Sequence, residues 1–158
     1  MFGWWKIVLK ILFTSSSGGH LQELMQLKKI ITQHESYLFT ENNSNSDLNF
    51  KKVISVRQIN RKEKWFIWHF CKLIFKSLKT YKNIRPQIII STGALVTVPI
   101  CIIGKLLNSK VIYIESFARI YTPSLTGKIM YRFADVFIVQ WEELLNYFPR
   151  AQYFGGIF

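Results

Sequence analysis

Residues 6–31 read KIVLKILFTSSSGGHLQELMQLKKII, and this stretch predicts the fold of the whole chain. The almost continuous apolar run at residues 6–13 is typical of a strand buried on both faces, as in a parallel sheet. A turn rich in serine and glycine follows at residues 14–20. Apolar residues then recur at helical spacing through residues 21–31, which predicts a helix of about three turns. The stretch therefore reads as a strand, a glycine turn and a helix.

The rest of the chain repeats this alternation of strands and helices. Further strands are predicted at residues 37–40, 52–56, 87–91, 111–115 and 136–139, helices at 61–83, 95–107, 125–133 and 141–147, and a polar loop at 41–47. Such alternation predicts an α/β fold with right-handed crossovers. We expect a single Rossmann-like domain over residues 1–158, with a mostly parallel sheet.

The charge balance points to an anionic partner. The chain has 158 residues, with 21 Lys and Arg against 9 Asp and Glu, and its net charge is +12. Its length suits one domain with a proper core. The excess of positive charge predicts attraction to nucleic acid, a phospholipid surface or a phosphorylated ligand.

Cysteine usage and the N-terminus suggest a reducing, cytoplasmic setting. Cys71 and Cys101 lie in apolar runs without metal-ligand spacing, so both are predicted to be buried thiols, and no metal site is expected. Residues 1–13 are apolar but interrupted by Lys6 and Lys10. This stretch is too short to span a bilayer, and it lacks a signal cleavage site.

Three predicted loops at the carboxyl ends of strands carry polar residues. In an open α/β sheet, ligands bind outside these ends. Glycines let the backbone approach a ligand, and a helix start favours an anion. His20 lies in the first turn of a helix, where the dipole favours a neutral imidazole that can accept a proton. The residues singled out are Ser16, Ser17, Gly18, Gly19 and His20, then Ser91, Thr92 and Gly93, then Glu115 and Arg119.

Each of these features can also be explained by a purely structural role. A Gly-Gly turn is often only the tight corner between a strand and a helix, and the chain contains neither GxGxxG nor GxxxxGK[ST]. Glu115 and Arg119 can pair with each other or cap the following helix. His34 and His69 have no other candidate catalytic or metal-binding residues near them in sequence, so we interpret them as surface or packing residues.

The helix predicted at residues 61–83 carries an apolar stripe that would cover the sheet: Ile67, Cys71, Ile74, Leu78 and Tyr81. Tryptophan and lysine beside this stripe suit the headgroup region of an anionic membrane. The residues predicted to face the membrane are Trp65, Phe66, Trp68, Lys72, Lys76 and Lys79. Nucleic acid competes for the same charges, but the chain has no RNP-like strand or helix-turn-helix signature, so no nucleic-acid partner is expected.

Two long blocks carry a family resemblance: STGALVTVPICIIGKLL at residues 91–107, and KVIYIESFARIYTPSLTGKIMYRFADVFIVQWEELLNYFPRAQYFGGIF at residues 110–158. They resemble the membrane-anchoring subunit of the two-subunit N-acetylglucosamine transferase of N-glycan lipid precursor assembly. They are similar in particular to its bacterial relatives in capsular and exopolysaccharide synthesis.

The resemblance implies the N-terminal, acceptor half of a GT-B glycosyltransferase. A separate catalytic chain would hold the UDP-sugar, and the complete site would form between the two. The implied acceptor is an undecaprenyl-diphosphate-linked saccharide at the cytoplasmic membrane face, and no cofactor is implied. The alternative is a purely structural anchor that brings the catalytic partner to the membrane.

The resemblance also implies roles for particular residues. The turn SSSGGH at residues 15–20 matches the glycine-rich loop that faces the acceptor diphosphate, and His20 is the candidate base or orienting group. Glu115 and Arg119 match the ESFAR block and imply a cleft position. The apolar C-terminal stretch is the expected partner interface, unless it folds back on its own domain; its residues are Trp141, Tyr153, Phe154, Ile157 and Phe158.

One departure concerns the membrane. The eukaryotic subunit carries an N-terminal transmembrane helix, whereas residues 1–13 here are read as part of a first strand. We therefore expect peripheral attachment through residues 65–82, helped by Phe2, Trp4 and Trp5.

Overall fold

Seven parallel strands form one sheet, which confirms the predicted α/β class. The computed structural model describes residues 7–41 and 50–157. The sheet order is β3-β2-β1-β4-β5-β6-β7, and every neighbouring pair is parallel. The strands are β1 (Lys10–Ser15), β2 (Glu35–Glu41), β3 (Lys52–Val56), β4 (Ile88–Ser91), β5 (Lys110–Ile114), β6 (Val136–Val139) and β7 (Gln152–Tyr153).

Five α-helices and two 3₁₀ segments connect the strands within the described ranges. The helices are α1 (Gly19–Met25), α2 (Lys28–Gln33), α3 (Phe66–Ile84), α4 (Val98–Leu106) and α5 (Leu125–Met130), and the 3₁₀ segments are Leu95–Thr97 and Glu142–Asn146. Right-handed crossovers place α1 and α2 on one face of the sheet and α3, α4 and α5 on the other.

The strand order reverses next to β1. The chain builds β2 and β3 on one side of β1, then crosses through α3 to begin β4 on the other side. Loops that leave β1 and β4 therefore diverge from a common point at the carboxyl edge, where α/β proteins bind ligands. The register pairs Thr14 with Ser91, so the two loops start side by side.

Each face of the sheet has its own core. Leu12 points into the core beneath α3, α4 and α5, which also contains Ile89 and Ile100. Its neighbours Ile11 and Phe13 point into the core beneath α1 and α2. This alternation explains why β1 reads as a continuous apolar run, because both of its faces exclude water.

The predicted start of β1 is wrong by four residues. The strand begins at Lys10, and Ile7 and Val8 are 75% and 60% exposed. Pairing with β2 starts at Lys10 and pairing with β4 at Ile11, so Ile7 and Val8 precede the paired part of the chain. At the other end the strand continues to Ser15, which pairs with Thr40 and is fully buried.

The single helix predicted at residues 21–31 is two helices. The N–H groups of Gln26 and Leu27 bond to the carbonyls three residues earlier, at 3.1 Å each, which tightens the chain and ends α1. The N–H groups of Ile30 and Ile31 then bond to the Leu27 carbonyl and begin α2.

Other boundaries also differ from prediction. The helix predicted at residues 61–83 starts at Phe66, and that at 95–107 opens with a 3₁₀ turn before α4. The segment predicted as a helix at residues 141–147 is 3₁₀, and β7 was not predicted. Most of the predicted loop at 41–47, together with Phe2, Trp4, Trp5 and Phe158, lies outside the described residues.

The first part of the predicted apolar stripe of α3 faces solvent, whereas Tyr81 at its end is buried and Leu78 is half-buried. Ile67 is 77% exposed, Ile74 is 40% exposed, and Cys71 is exposed, so its predicted burial is wrong whereas that of Cys101 is confirmed. The buried face of α3 is formed by Leu73, Ser77, Thr80, Tyr81 and Ile84. The small side chains of Ser77 and Thr80 suit the close packing of α3 against α4.

No helix in residues 7–41 and 50–157 combines the length and apolar character needed to cross a bilayer.

Paired leucine truncations test the two-core arrangement. Leu24 is fully buried on α1, and Leu106 on α4 is 73% exposed. We expect Leu24→Ala to lower the free energy of unfolding by about 2–5 kcal/mol, because it leaves a cavity in the core beneath α1. Leu106→Ala should change it by less than about 0.5 kcal/mol. Urea unfolding of both variants measures the difference. Equal losses in the free energy of unfolding would contradict the assignment of Leu24 to the core beneath α1.

Candidate functional site

A reciprocal pair of hydrogen bonds joins α1 to the loop after β4. The Nδ1 atom of His20 lies 2.8 Å from the Thr92 carbonyl oxygen, and Thr92 Oγ1 donates to the His20 carbonyl oxygen at 2.7 Å. The two residues are 72 positions apart in sequence. The predicted loops of β1 and β4 are thus locked together at the point where the strand order reverses.

This geometry fixes the tautomer of His20. A carbonyl oxygen can only accept, so Nδ1 carries the proton and donates it to Thr92. In the neutral ring the second nitrogen, Nε2, then has no proton and can accept one. The ring is half-buried, so this nitrogen belongs to a side chain that solvent and ligands can reach. The contact with Thr92 therefore fixes the orientation of the ring and leaves Nε2 as the nitrogen that can accept a proton.

Gly93 makes room for the His20 ring. Its φ angle is +110°, and a methyl group there would lie 3.2 Å from both His20 Cε1 and Tyr113 Oη. Ala94, the next residue, also has a positive φ of 75°. Such backbone strain is typical of functional loops. Ser91 and Thr92 are fully buried, so their side chains support the loop from beneath.

Tyr113 is the second ring at this position, and sequence reasoning missed it. The side chain is fully buried on β5, and burial raises the pKa of its hydroxyl well above the usual value. No described group reaches hydrogen-bonding geometry with Tyr113 Oη, although the nearby Ser124 hydroxyl weakly opposes the pKa shift. The neutral hydroxyl next to His20 therefore remains available as a donor.

The serine and glycine turn is bound within the protein. Gly18 caps α1 with a φ of 74°, a conformation that glycine tolerates. The Ser17 N–H and Oγ both donate to Glu41 Oε2, at 3.4 and 3.2 Å. Ser16 Oγ donates to the Ser17 carbonyl oxygen, and Gly19 has open space around it. A carboxylate thus occupies donors that we had predicted to face a diphosphate.

Glu23 is the main residue that sequence reasoning overlooked. It is 4% exposed, and its Oε1 accepts from Ser116 Oγ and from the Phe117 N–H, both at 3.0 Å. Its Oε2 has no hydrogen-bond partner among the described groups. Burial raises the pKa of Glu23, and nearby His20 opposes that shift. Glu23 follows His20 by three residues, and this spacing places both side chains on one face of a helix. That spacing is the sequence signal that could have identified Glu23.

Glu115 lies at the predicted edge but is enclosed. It is fully buried, and it accepts from the Ser116 N–H at 3.0 Å and from Ser124 Oγ at 3.1 Å. A methyl group on Gly127 would lie 1.7 Å from its Oε2, so only glycine fits there. Burial raises the pKa of Glu115. Arg119 is exposed and makes no ion pair with Glu115 within the described residues.

Beneath this edge lie three more buried hydroxyls without a partner among the described groups: Thr14 Oγ1, Ser15 Oγ and Thr40 Oγ1. Leaving such a group unpaired costs about 1–3 kcal/mol. The carboxyl edge of the sheet is therefore polar well below its surface. The described residues contain no cluster of three His, Cys, Asp or Glu that would hold a metal ion.

The residues predicted to face a membrane lie along α3 and just before it. Trp65 and Trp68 are 67% and 59% exposed, and Lys72 Nζ lies 5.0 Å from the centre of the Trp68 ring. Phe66 is half-buried against Phe70. Lys79 is exposed, and Lys76 donates to the Ser55 carbonyl oxygen.

The residues predicted to form the partner interface lie in two different environments. Tyr153 and Phe154 are 42% and 75% exposed at the β7 edge of the sheet. Trp141 instead donates its Nε1 proton to the Phe117 carbonyl oxygen at 2.6 Å, and the Ile157 N–H donates to Gln140 Oε1 at 3.0 Å. Trp141 and Ile157 thus fold back onto their own domain, the alternative that the sequence left open.

A family model described as "Oligosaccharide biosynthesis protein Alg14 like" matches residues 11–157. The chain belongs to this Alg14-like family. The UDP-N-acetylglucosamine transferase subunit ALG14 of Mus musculus is 28% identical over 183 residues, covering 94% of this chain and 83% of the mouse protein. The Schizosaccharomyces pombe protein of the same name is 43% identical over 75 residues, covering 44% of this chain and 36% of that protein.

Solved structures share the fold. MurG from Acinetobacter baumannii superposes with a TM-score of 0.66 at 16% identity, covering 82% of this chain and 41% of MurG. The UDP-N-acetylglucosamine 2-epimerase from Rickettsia bellii gives a TM-score of 0.73 at 14% identity, covering 96% of this chain and 46% of the epimerase. This Alg14-like chain thus has the fold of a GT-B N-terminal domain and spans less than half of either neighbour.

The buried glutamates predict how stability depends on pH. The folded chain holds the Glu115 proton more tightly than the unfolded chain, whose usual pKa is 4.5. The free energy of unfolding should therefore fall as the pH rises above that value, as the unfolded state gains more from ionisation. Glu115→Gln cannot ionise, so we expect a flatter decline in urea unfolding from acidic to neutral pH.

Glu142→Gln is the matched control, because Glu142 is exposed on the surface. It should keep the slope of the unmodified protein. A slope for Glu115→Gln as steep as that of this control would contradict the prediction. Glu23 should contribute in the same direction, so the flattening from a single substitution is partial.

Proposed function

We propose that this chain is the acceptor-binding and membrane-associating subunit of a two-component UDP-sugar glycosyltransferase. Family membership supports this, as do relatives whose names call them subunits of a UDP-N-acetylglucosamine transferase. The chain spans less than half of its GT-B-like structural neighbours. We propose that a catalytic partner chain binds the UDP-sugar, in line with the word subunit in the names of the relatives.

The observation that carries the proposal is the oriented imidazole of His20. With its Nδ1 proton donated to Thr92, the ring presents a basic Nε2 at the carboxyl edge. In the proposed reaction an acceptor hydroxyl attacks the anomeric carbon of the donor sugar and the bond to UDP breaks, with inversion. Nε2 takes the hydroxyl proton, and UDP leaves with the bonding electrons. Gly93 leaves room for the ring, and the bond to Thr92 holds it in this orientation.

The proposed acceptor is a saccharide linked to undecaprenyl diphosphate, extended at the cytoplasmic face of the membrane in capsular or exopolysaccharide synthesis. Gly18, Gly19 and the exposed Arg119 are the proposed contacts of the diphosphate on this chain. Transfer to undecaprenyl-linked rather than dolichyl-linked acceptors would support the bacterial pathway, and the opposite preference would overturn it.

A second candidate function is that of a structural anchor without a share in catalysis. Hydrogen bonds within the protein at the carboxyl edge of the sheet favour this anchor function. Ser17 donates to Glu41, and the Glu115 side chain is buried. In that case the exposed Tyr153 and Phe154 at β7 would still serve as the proposed contact with the catalytic partner.

Substitution of His20 separates the two functions. We expect His20→Ala to lower turnover by about 10²–10⁴-fold, the usual contribution of a positioned general base. The pair should still co-purify and bind membranes. The assay is sugar transfer from UDP-sugar to a lipid-linked acceptor by this chain, by its partner and by both together.

His34→Ala is the control, because His34 lies beside β2 at the opposite edge of the sheet, where it accepts from the Leu9 N–H. Its turnover should match that of the unmodified pair. Unchanged turnover in His20→Ala would leave only the anchor function. Transfer by this chain alone would refute the split-enzyme proposal.

Membrane attachment is proposed to use the exposed face of α3. Apolar Ile67 and Phe75, 77% and 73% exposed, lie beside Trp68 and the lysines of the same helix. Exposed apolar and basic residues together suit the interface of an anionic bilayer. The attraction should weaken as salt rises.

We expect the double variant Ile67→Ser with Phe75→Ser to bind anionic vesicles about tenfold more weakly, since it removes apolar area that enters the interface. Its stability should be nearly unchanged, because both side chains are exposed. Ile30→Ser, on the opposite face of the sheet, should bind normally. Vesicle co-sedimentation measures this, and equal binding by all three proteins would exclude α3.

A further inference from the structure

A basic cavity lies between the end of β3 and the first half of α3. It has a volume of about 250 Å³. Val56 and Leu73 form its apolar floor, and Arg57, His69, Lys72 and Lys76 line it with polar groups. None of the predicted catalytic or acceptor residues lines this cavity. It is therefore separate from the site at His20.

The charges of the cavity are strongly unbalanced. Arg57 donates to His69 Nε2 at 2.9 Å, and its other terminal nitrogen lies 3.6 Å from Glu63 Oε2. The Arg57 side chain remains 61% exposed, so solvent and ligands can still reach the guanidinium. Lys72 and Lys76 add two more cations on successive turns of α3. Three cations thus line the cavity, and the partly exposed Glu63 carboxylate pairs with the first of them, Arg57.

Apolar surface adjoins the cavity on the outward side of α3. Lys72 lies over the Trp68 ring at 5.0 Å, so one lysine borders both the cavity and the aromatic surface. Trp68 is 59% exposed and Phe75 is 73% exposed. A ligand that pairs an anionic group with hydrocarbon would satisfy both surfaces at once. A soluble phosphate would satisfy the cations alone.

We propose that this cavity binds the phosphate of an anionic phospholipid headgroup. The inference rests on the membrane attachment proposed above, and it adds a discrete headgroup site to that diffuse attraction. The cavity volume equals that of about eight water molecules in the liquid, which leaves room for a glycerophosphate group. Arg57 supplies a planar donor suited to phosphate, and Lys72 and Lys76 supply point charges.

The test compares two anionic vesicles of equal surface potential. Phosphatidylcholine vesicles are doped either with phosphatidylglycerol or with oleate, which carries charge without an additional phosphate. We expect the full chain to bind the phosphatidylglycerol vesicles about tenfold more tightly, the factor of one charge-assisted hydrogen bond. Arg57→Gln should bind both vesicles equally.

Lys79→Gln is the matched control, because Lys79 is exposed on the same helix and does not line the cavity. It should weaken binding to both vesicles by about fivefold and keep the preference. Lys72→Gln, which removes a second cavity cation, should lose the preference as Arg57→Gln does. Circular dichroism of each variant checks that α3 remains folded.

Two results would overturn the headgroup site. Equal binding of the unmodified chain to both vesicles would mean that its attraction is diffuse, and membrane attachment through α3 would still stand. Saturable binding of inorganic phosphate that Arg57→Gln abolishes, but that leaves the preference for phosphatidylglycerol vesicles unchanged, would assign the cavity to a soluble anion. Loss of all vesicle binding in the α3 double variant is a separate result and bears on attachment alone.

Discussion

The parallel pairing of β1 with β2 on one side and β4 on the other is the constraint on which the rest of the structure depends. It makes β1 the strand at which the order reverses, so the loops that follow β1 and β4 leave in opposite directions. The His20 and Thr92 bonds close the gap between those loops. Because Thr92 offers a carbonyl, the same contact that joins the loops also sets the proton position on His20.

Much of this could be predicted from the sequence because strands buried on both faces leave continuous apolar runs. The run before SSSGGH and the run at residues 87–91 both lie in the central strands. The contact between Thr92 and His20 could not be predicted, because the spacing of apolar residues does not report contacts between distant parts of the sequence. Ends of strands were less predictable, since Ile7 is as apolar as Ile11 and differs only in lacking a paired neighbour.

The failures on α1 and α3 both come from contacts between residues that are far apart in sequence. On α3, Ser77 and Thr80 are buried and Ile67 is exposed, and the helix packs closely against α4. On α1, a glutamate reads as a solvent-facing residue, yet Glu23 is buried by bonds to Ser116 and Phe117. Those partners lie 93 and 94 positions away, so hydropathy could not reveal them.

Charge in this chain is separated between the carboxyl edge and the outer face of α3. Glu23, Glu41 and Glu115 are buried at the edge, whereas the lysines of α3 face outward. The enclosed carboxyl groups at this edge fit the proposed role of His20 as a base. The described lysines of α3 contribute to the net charge of +12 and make the outer face of this helix basic.

The two regions are nevertheless close. The chain enters α3 from the carboxyl end of β3, two strands from β1, and neighbouring strands lie about 4.8 Å apart. The tryptophans at the start of α3 and the His20 loop therefore lie toward the same end of the sheet. An acceptor whose lipid stays in the bilayer must bring its sugar to a site near the membrane surface. If α3 meets the bilayer at its first turns, as we propose, it would satisfy that requirement for an acceptor bound at the His20 edge.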